Sequence, residues 1–227
     1  MKTTGTNPDI PILFEDNHLL VINKPEGILS QEDHTGRPDL LTLCKTYIRN
    51  TQNKSGNVFL GLLHRLDEPV SGVMVLAKTS KSASRISEQI RKRSVRKRYR
   101  AVVSGSPPPN GVLEHYLEKD SDENIVKVTD RATKTSKLAK LSFQTLSKSN
   151  GLSLVDIMLE TGRPHQIRVQ FSDIDAPIWG DRRYGNGKQN ESIALHAYSF
   201  RLQHPTSDER MTFKADPPDR FPWSLFH

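Results

Sequence analysis

The apolar residues of this chain come in short runs, and that restricts it to short strands and modest helices. Ile12-Leu13-Phe14, Leu19-Leu20-Val21-Ile22, Val58-Phe59-Leu60 and Val73-Met74-Val75-Leu76-Ala77 are each bounded by charged or turn-forming residues, the pattern of buried or half-buried strands. No run approaches the ~20 apolar residues that a membrane-spanning helix needs. The 227 residues, 34% hydrophobic and 26% charged, suit one large domain or two small ones and exclude collagen-like and largely disordered chains. Cys44 is the single cysteine, so an internal disulfide is impossible and a reducing cytoplasm is the expected compartment. Met1 to Asp9 are polar, without the apolar stretch of a secretory signal, and residues 1–11 read as a flexible N-terminus.

The first two runs, joined by Glu15-Asp16-Asn17-His18, predict a β-hairpin, which Lys24-Pro25-Glu26-Gly27 then breaks. Asp39 is placed to cap a helix over 39–49, followed by a polar loop over 50–57. Thr79 or Ser80 caps a second helix with Ala83, Ile86 and Ile90 on its apolar face. A strand over 96–103 puts Lys97, Tyr99, Ala101 and Val103 on one face, because side chains alternate. Pro107-Pro108-Pro109-Asn110-Gly111 reads as a lobe boundary or linker. Strands over 137–146 and 152–159 flank a Ser149-Asn150-Gly151 turn. Pro164 fits the first position of a third helix, where a missing N–H costs nothing. Alternation over 194–202 and 211–213 predicts a last hairpin. Strands with interspersed helices argue for an α+β fold, one two-lobed domain over 12–227 around a mixed, largely antiparallel sheet.

Charge is concentrated in one place. The chain has 33 Lys and Arg against 26 Asp and Glu, and seven of the basic residues lie in the ten-residue block Arg91–Arg100; outside it the two signs balance at 26 each. Cations this close repel one another and favour a polyanion that releases counterions on binding. A solvated basic face or a localisation tag would look the same.

His64-Arg65-Leu66-Asp67-Glu68-Pro69-Val70-Ser71-Gly72 sets charged and polar residues between two apolar strand segments, ending in a Ser-Gly pair that suits a tight turn. On residue types alone an ordinary strand–turn–strand connection explains it as well. The segment nevertheless resembles the His-Arg-Leu-Asp motif of the RluA family of RNA pseudouridine synthases. Other blocks similar to that family occur in order: Asn23-Lys24-Pro25 with Gly27; Lys97, Tyr99 and Ala101; Gly162-Arg163-Pro164-His165-Gln166-Ile167-Arg168-Val169-Gln170; Gly180-Asp181 with Tyr184-Gly185; Leu195-His196-Ala197; and His204-Pro205. The resemblance spans residues 12 to 218. It departs from the family pattern at Val70, Pro164 and Gln170, and leaves no room for the small N-terminal RNA-binding domain of many relatives.

The resemblance implies a pseudouridine synthase fold and isomerisation of uridine in structured RNA, ribosomal RNA first and transfer RNA second. Turning uridine into pseudouridine breaks a carbon–nitrogen glycosidic bond, rotates the base and rejoins it through carbon 5. No redox change or group donor enters, so no cofactor or metal is expected. Asp67 carries over as the catalytic carboxylate, a nucleophile or a base near the sugar. Arg168 would pair with it through bidentate hydrogen bonds. Tyr99 would stack on the target base or handle a proton, although the strand pattern alone makes it a core tyrosine. The nucleotide must leave its stack to be reached, and Arg65 would hold the RNA around the vacated position. Arg91, Lys92, Arg93 and Lys97, with the rest of the basic block, would clamp phosphates, a matter of affinity more than of sequence reading. No protein partner is evident, so a monomer acting on an RNA stem-loop is expected. A non-catalytic RNA-binding protein of the same fold is the rival; a glycosidase working through paired carboxylates lacks a clear second acidic motif.

Overall fold

The computed structural model describes residues 10–53, 55–120 and 125–226. In chain order it contains β1 (Ile12–Glu15), β2 (Leu19–Lys24), α1 (Leu40–Thr51), β3 (Gly61–Leu62), β4 (Ser71–Ala77), α2 (Ser80–Arg91), β5 (Arg96–Ser104) and β6 (Asn110–Asp120). There follow β7 (Ile125–Thr129), β8 (Lys137–Ser149), β9 (Leu152–Leu159), α3 (Gln166–Asp173), β10 (Leu195–Gln203) and β11 (Arg210–Lys214), then a short 3₁₀ turn at Trp223–Phe226. All the described strands belong to one mixed sheet with the path β1-β2-β4-β10-β5-β9-β8-β6-β7; β11 adds to β10 and β3 to β4. Only the β4–β10 pair is parallel. The expected α+β architecture is therefore present.

Strict alternation builds the first half. On β2 and β4, Leu20, Ile22, Met74 and Leu76 pack against Leu40, Cys44 and Ile48 of α1, while Leu19, Val21, Val73 and Val75 pack against Ile86 of α2. One helix thus covers each face, because consecutive strand residues point opposite ways. Asp39 caps α1 through a bond from the Thr42 N–H, and Thr79 caps α2 through one from the Ser82 N–H, satisfying donors that a helix start leaves open.

Several expectations need correction. Residues 1–9 of the expected flexible start lie outside the described residues, but Ile10 packs on the core and the Pro11 carbonyl accepts from the Asn23 N–H at 2.9 Å, so the chain is tied before β1. α1 continues to Thr51, two residues into the expected loop. The proline tract, read as a lobe boundary or linker, is anchored to the sheet: Thr145 donates to the Pro109 and Pro108 carbonyls. Ser71-Gly72 is not a turn. It opens β4, where Gly72 at φ +119° lies so close to β10 that a Cβ would sit 2.4 Å from the Ala197 carbonyl oxygen; only glycine fits there. Pro164 lies two residues ahead of α3, whose N-cap is His165 in the left-handed region. Gln166 Oε1 accepts from Arg163 N–H and Thr161 Oγ1 and fixes that start. The strands β6 and β7 were not foreseen as such.

Candidate active site

Asp67 stands in the connection before β4, whose backbone is tied down on both sides of it. Ser30 Oγ donates to the Leu66 carbonyl at 2.6 Å and accepts from the Leu66 N–H at 3.1 Å. The Asp67 carbonyl accepts from Val70 N–H, closing a turn. Fully buried Lys24 donates to the carbonyls of Pro25 and Glu68, and Gly27 N–H meets the same Glu68 carbonyl. Arg37 grips the Glu68 carboxylate with both terminal nitrogens, at 2.6 and 3.2 Å. Burial pushes the Lys24 ammonium down to about 8, against the pull of the Glu68, Asp67 and Glu26 carboxylates. Val70, where the family pattern has a hydroxyl, is buried in the core.

This connection forms one wall of a cleft of about 810 Å³, into which Arg65, Asp67, Tyr99 and Arg168 all face. The fold thus brings together the three residues expected to carry chemistry, although Arg168 is 101 positions from Asp67 in sequence. Arg168 Nη1 donates to Asp67 Oδ2 at 3.0 Å. The bidentate fork expected there goes elsewhere. Arg168 Nε and Nη2 each meet a carboxylate oxygen of Asp181 at 2.8 Å. Asp181 has no exposed side-chain surface and also accepts from the backbone N–H groups of Arg183 and Tyr184. Burial opposes the charge on both partners, but the ion pair wins, holding Arg168 above its ordinary value and Asp181 below its own. Asp67 keeps 29% of its side-chain surface exposed, and its Oδ1 takes no hydrogen bond among the described residues. The buried, locked pair is Arg168–Asp181; Asp67 is the carboxylate presented to the cleft.

Tyr99 is buried on β5, part of the main core cluster as well as of the cleft wall. Burial and the nearby Asp67 carboxylate push its phenol above the ordinary range, so it stays protonated at neutral pH. A ring in that state offers a face and a hydroxyl, not a base. His165, like His64, reads from sequence as a hydrogen-bonding or packing residue and not as a metal ligand. Tyr184 Oη accepts from Val126 N–H at 2.9 Å and shares a hydrogen bond with His165 Nδ1 at 2.7 Å, with His165 Nε2 at 3.9 Å from Asp67 Oδ2. Burial lowers the His165 pKa, offset in part by Asp67, so it is neutral at pH 7. His64 is a packing residue: its ring stacks on Phe200, its Nε2 accepts from Val75 N–H, and burial with the Lys97 charge pushes it down to about 3. Gln170, where the sequence departs from the family pattern, is fully buried and donates to the Leu113 and Ala139 carbonyls, tying α3 to β6 and β8.

The basic residues divide. Arg65 is exposed at the cleft without a carboxylate partner among the described residues; Arg91, Arg93 and Lys97 also line the cleft. Lys92 does not, and it shares Glu88 with Arg91 as an ion pair. Lys97 is half-buried over the Phe200 ring, where burial lowers its pKa. Among the described residues no three His, Cys, Asp or Glu side chains converge as metal ligands would.

Asp181 and His165 lay within blocks quoted for the family resemblance, yet no local signal assigned them a role; an acid flanked by Gly180 and two arginines reads as a surface loop.

The family model described as RNA pseudouridylate synthase matches residues 18–173. A ribosomal large subunit pseudouridine synthase D of Zymomonas mobilis is 33% identical over 92% of this chain and 70% of its own. A tRNA pseudouridine synthase C of Pectobacterium carotovorum is 29% identical over 91% of this chain and 58% of its own. Across the curated relatives the chain spans between about 58% and 71% of their length. The solved structure of human RNA pseudouridylate synthase domain containing 4 superposes with a TM-score of 0.79 at 27% identity, covering 95% of this chain and 91% of that one. With two thirds of its residues under the family model and this fold around Asp67, the chain belongs to the RNA pseudouridylate synthase family.

Proposed function

We propose that this chain isomerises uridine in RNA to pseudouridine, with Asp67 as the reacting carboxylate. The observation that carries the reading is the asymmetric hold on Asp67: one oxygen fixed by a buried guanidinium, the other facing an open cleft. A carboxylate so placed can act on the sugar as nucleophile or base without first breaking an ion pair. Arg168 positions it. Tyr99, kept protonated, stacks against or donates to the flipped base, and neutral His165 presents Nε2 beside the carboxylate. Arg65 holds the RNA around the vacated position, while Arg91, Arg93 and Lys97 meet flanking phosphates. The glycosidic bond between N1 and the sugar breaks, the base turns, and a bond to carbon 5 forms; the carbon-5 proton leaves to solvent and N1 gains one. Atoms and electrons balance within the nucleotide, so the reaction draws on no donor.

The substrate is a uridine in structured RNA, ribosomal RNA first and transfer RNA second, as the names of the relatives suggest. Residues 12–227 act as one catalytic unit and as a monomer in the cytoplasm. The test is release of tritium from carbon-5-labelled uridine in total ribosomal and transfer RNA, with pseudouridine mapped in cells with and without the gene. No release from either RNA, by protein that binds both, would leave the non-catalytic RNA-binding reading standing.

A further inference from the structure

Segment 91–97 is a wall between two concave surfaces. Arg91, Arg93, Val95 and Lys97 line the catalytic cleft, whereas Ser94 and Arg96 line a separate cavity of about 230 Å³. From β5 onward alternation separates Arg96 from Lys97, whereas Arg91 and Arg93 reach the cleft from the end of α2 and the left-handed turn that follows it. Three arginines meet at the second cavity: Arg96 from β5, its register partner Arg201 from β10, and Arg210 from β11. None has a carboxylate or hydrogen-bonded partner for its guanidinium among the described residues. The remaining alternate arginines of β5 are already engaged, Arg98 with Asp156 at 2.6 Å and Arg100 over the Tyr198 ring at 3.9 Å.

The cavity is held in shape. Gln89 donates to the Gln203 carbonyl and accepts from the Gln203 N–H, clamping the end of α2 to β10, and Ser94 Oγ donates to the Gln89 carbonyl. Gln203 Nε2 in turn donates to Asp208 at 3.0 Å, and the charged residues lining the cavity itself are the three arginines. Three uncompensated cations on three adjacent strands repel one another, and the fold gains nothing from the arrangement unless an anion enters. A guanidinium fork matches a phosphate oxygen pair.

We propose that this cavity is a second phosphate-binding site for the RNA backbone, beyond the cleft and across segment 91–97 from it. It rests on the reading of RNA as the substrate. Its occupant is the phosphodiester of duplex flanking the target uridine, gripped as the strand leaves the cleft over Arg91 and Arg93. The site contributes affinity and selects RNA with structure beyond the loop, not the identity of the base.

The experiment uses two fluorescent RNAs: a uridine-centred pentanucleotide that fills only the cleft, and a stem-loop with a long duplex stem. Binding is followed across salt concentrations for the wild type, the triple variant Arg96→Gln/Arg201→Gln/Arg210→Gln, and the charge-keeping triple lysine variant. The glutamine variant should lose stem-loop affinity and flatten its salt slope by about two to three units, one per phosphate contact. Its pentanucleotide affinity should match the wild type, and the lysine variant should recover most of the slope. An unchanged stem-loop slope in the glutamine variant overturns the proposal, as does equal weakening for both RNAs. Poly-glutamate competing as well as the stem-loop at equal charge would assign the cavity to acidic peptides instead. Pseudouridine is assayed in the same stem-loop and in ribosomal RNA; absence of conversion by the wild type would sink the catalytic reading and leave the slope measurement intact.

Discussion

On one side of the Arg168 guanidinium stands Asp181, with no exposed surface, two bonds from the arginine and two from backbone N–H groups. On the other stands Asp67, 29% exposed, with one bond from the same arginine. The two carboxylates differ in what they are free to do. A carboxylate whose acceptor positions are all filled in a buried pair is a structural anchor: removing its partner is costly, and reaction would require the pair to break. A carboxylate held at one oxygen keeps its place and still has lone pairs for a substrate. Arg168 makes this division possible because a guanidinium presents five donors in a rigid plane, and a lysine could not serve both sides in fixed geometry.

The sharpest way to break the comparison is to neutralise each carboxylate in turn. Asp67→Asn should lower turnover by about 10³-fold or more, with denaturant midpoint and RNA affinity nearly unchanged. Asp181→Asn should do the reverse in kind: a loss of about 3–5 kcal/mol in stability, since it strands the buried Arg168 charge, with activity falling only as positioning fails. The acid limb supplies a second reading. Asp181 is depressed in the folded state below its ordinary 3.8, so the unfolded chain binds more protons as pH falls beneath that value. The stability it contributes is complete above the unfolded value and lost as pH drops through the folded one. Urea unfolding followed from neutral pH to below pH 3.8 should show a shallower acid decline in Asp181→Asn than in wild type. An Asp67→Asn variant that turns over RNA would remove Asp67 from the chemistry, and an Asp181→Asn variant as stable as wild type would abolish the distinction drawn here.

A smaller effect is the coupling itself. Double-mutant cycles of Arg168→Ala with Asp181→Ala and with Asp67→Ala, read by denaturant unfolding at neutral pH, should give about 2–3 kcal/mol for the first pair and under about 1 kcal/mol for the second. The exposed carboxylate is screened by water and holds only one bond. Equal coupling energies would mean that Asp67 is as much a part of the anchor as Asp181.

That ordering was not legible in the sequence, and the reason is physical. Caps and hairpins are local, so Asp39, Thr79, the Ser149-Asn150-Gly151 turn and the β10–β11 hairpin could be read from neighbouring residues. The meeting of Asp67 with Arg168 is not local; it came from resemblance to a family, and the resemblance carried the pair but not the fork. Which carboxylate receives the two-toothed grip depends on burial of the loop after α3, and nothing in Gly180-Asp181-Arg182-Arg183 announces burial. The strands β6 and β7 failed for another reason. Leu113 and Leu117, the buried apolar residues of β6, are four apart, while Val112 is 58% exposed. That spacing looks helical, because this strand buries only part of one face. The basic block misled in a third way: its charges were counted together, but a helix end, a left-handed turn and an alternating strand send them to different surfaces.

The same arm of the sheet reaches the site through Tyr184, and this gives the smallest effect. Tyr184 Oη accepts from the Val126 N–H of β7 and is hydrogen-bonded to Nδ1 of His165, which stands beside Asp67. Tyr184→Phe leaves the ring, which packs against the His165 ring with centroids 5.5 Å apart, but strands a backbone N–H on a buried residue. The cost should be about 1–2 kcal/mol, concentrated in β7, where hydrogen exchange at Val126 should speed up more than in β2 or β4. Loss of the Tyr184 bond also removes the contact that orients the His165 ring beside Asp67. Turnover should then fall a few-fold with affinity for RNA held, and the pH dependence of turnover should shift toward the ordinary histidine range as the ring gains solvent. Unchanged exchange at Val126, together with unchanged turnover, would cut β7 out of the site and leave Arg168 as the sole support that Asp67 receives from the second half of the chain.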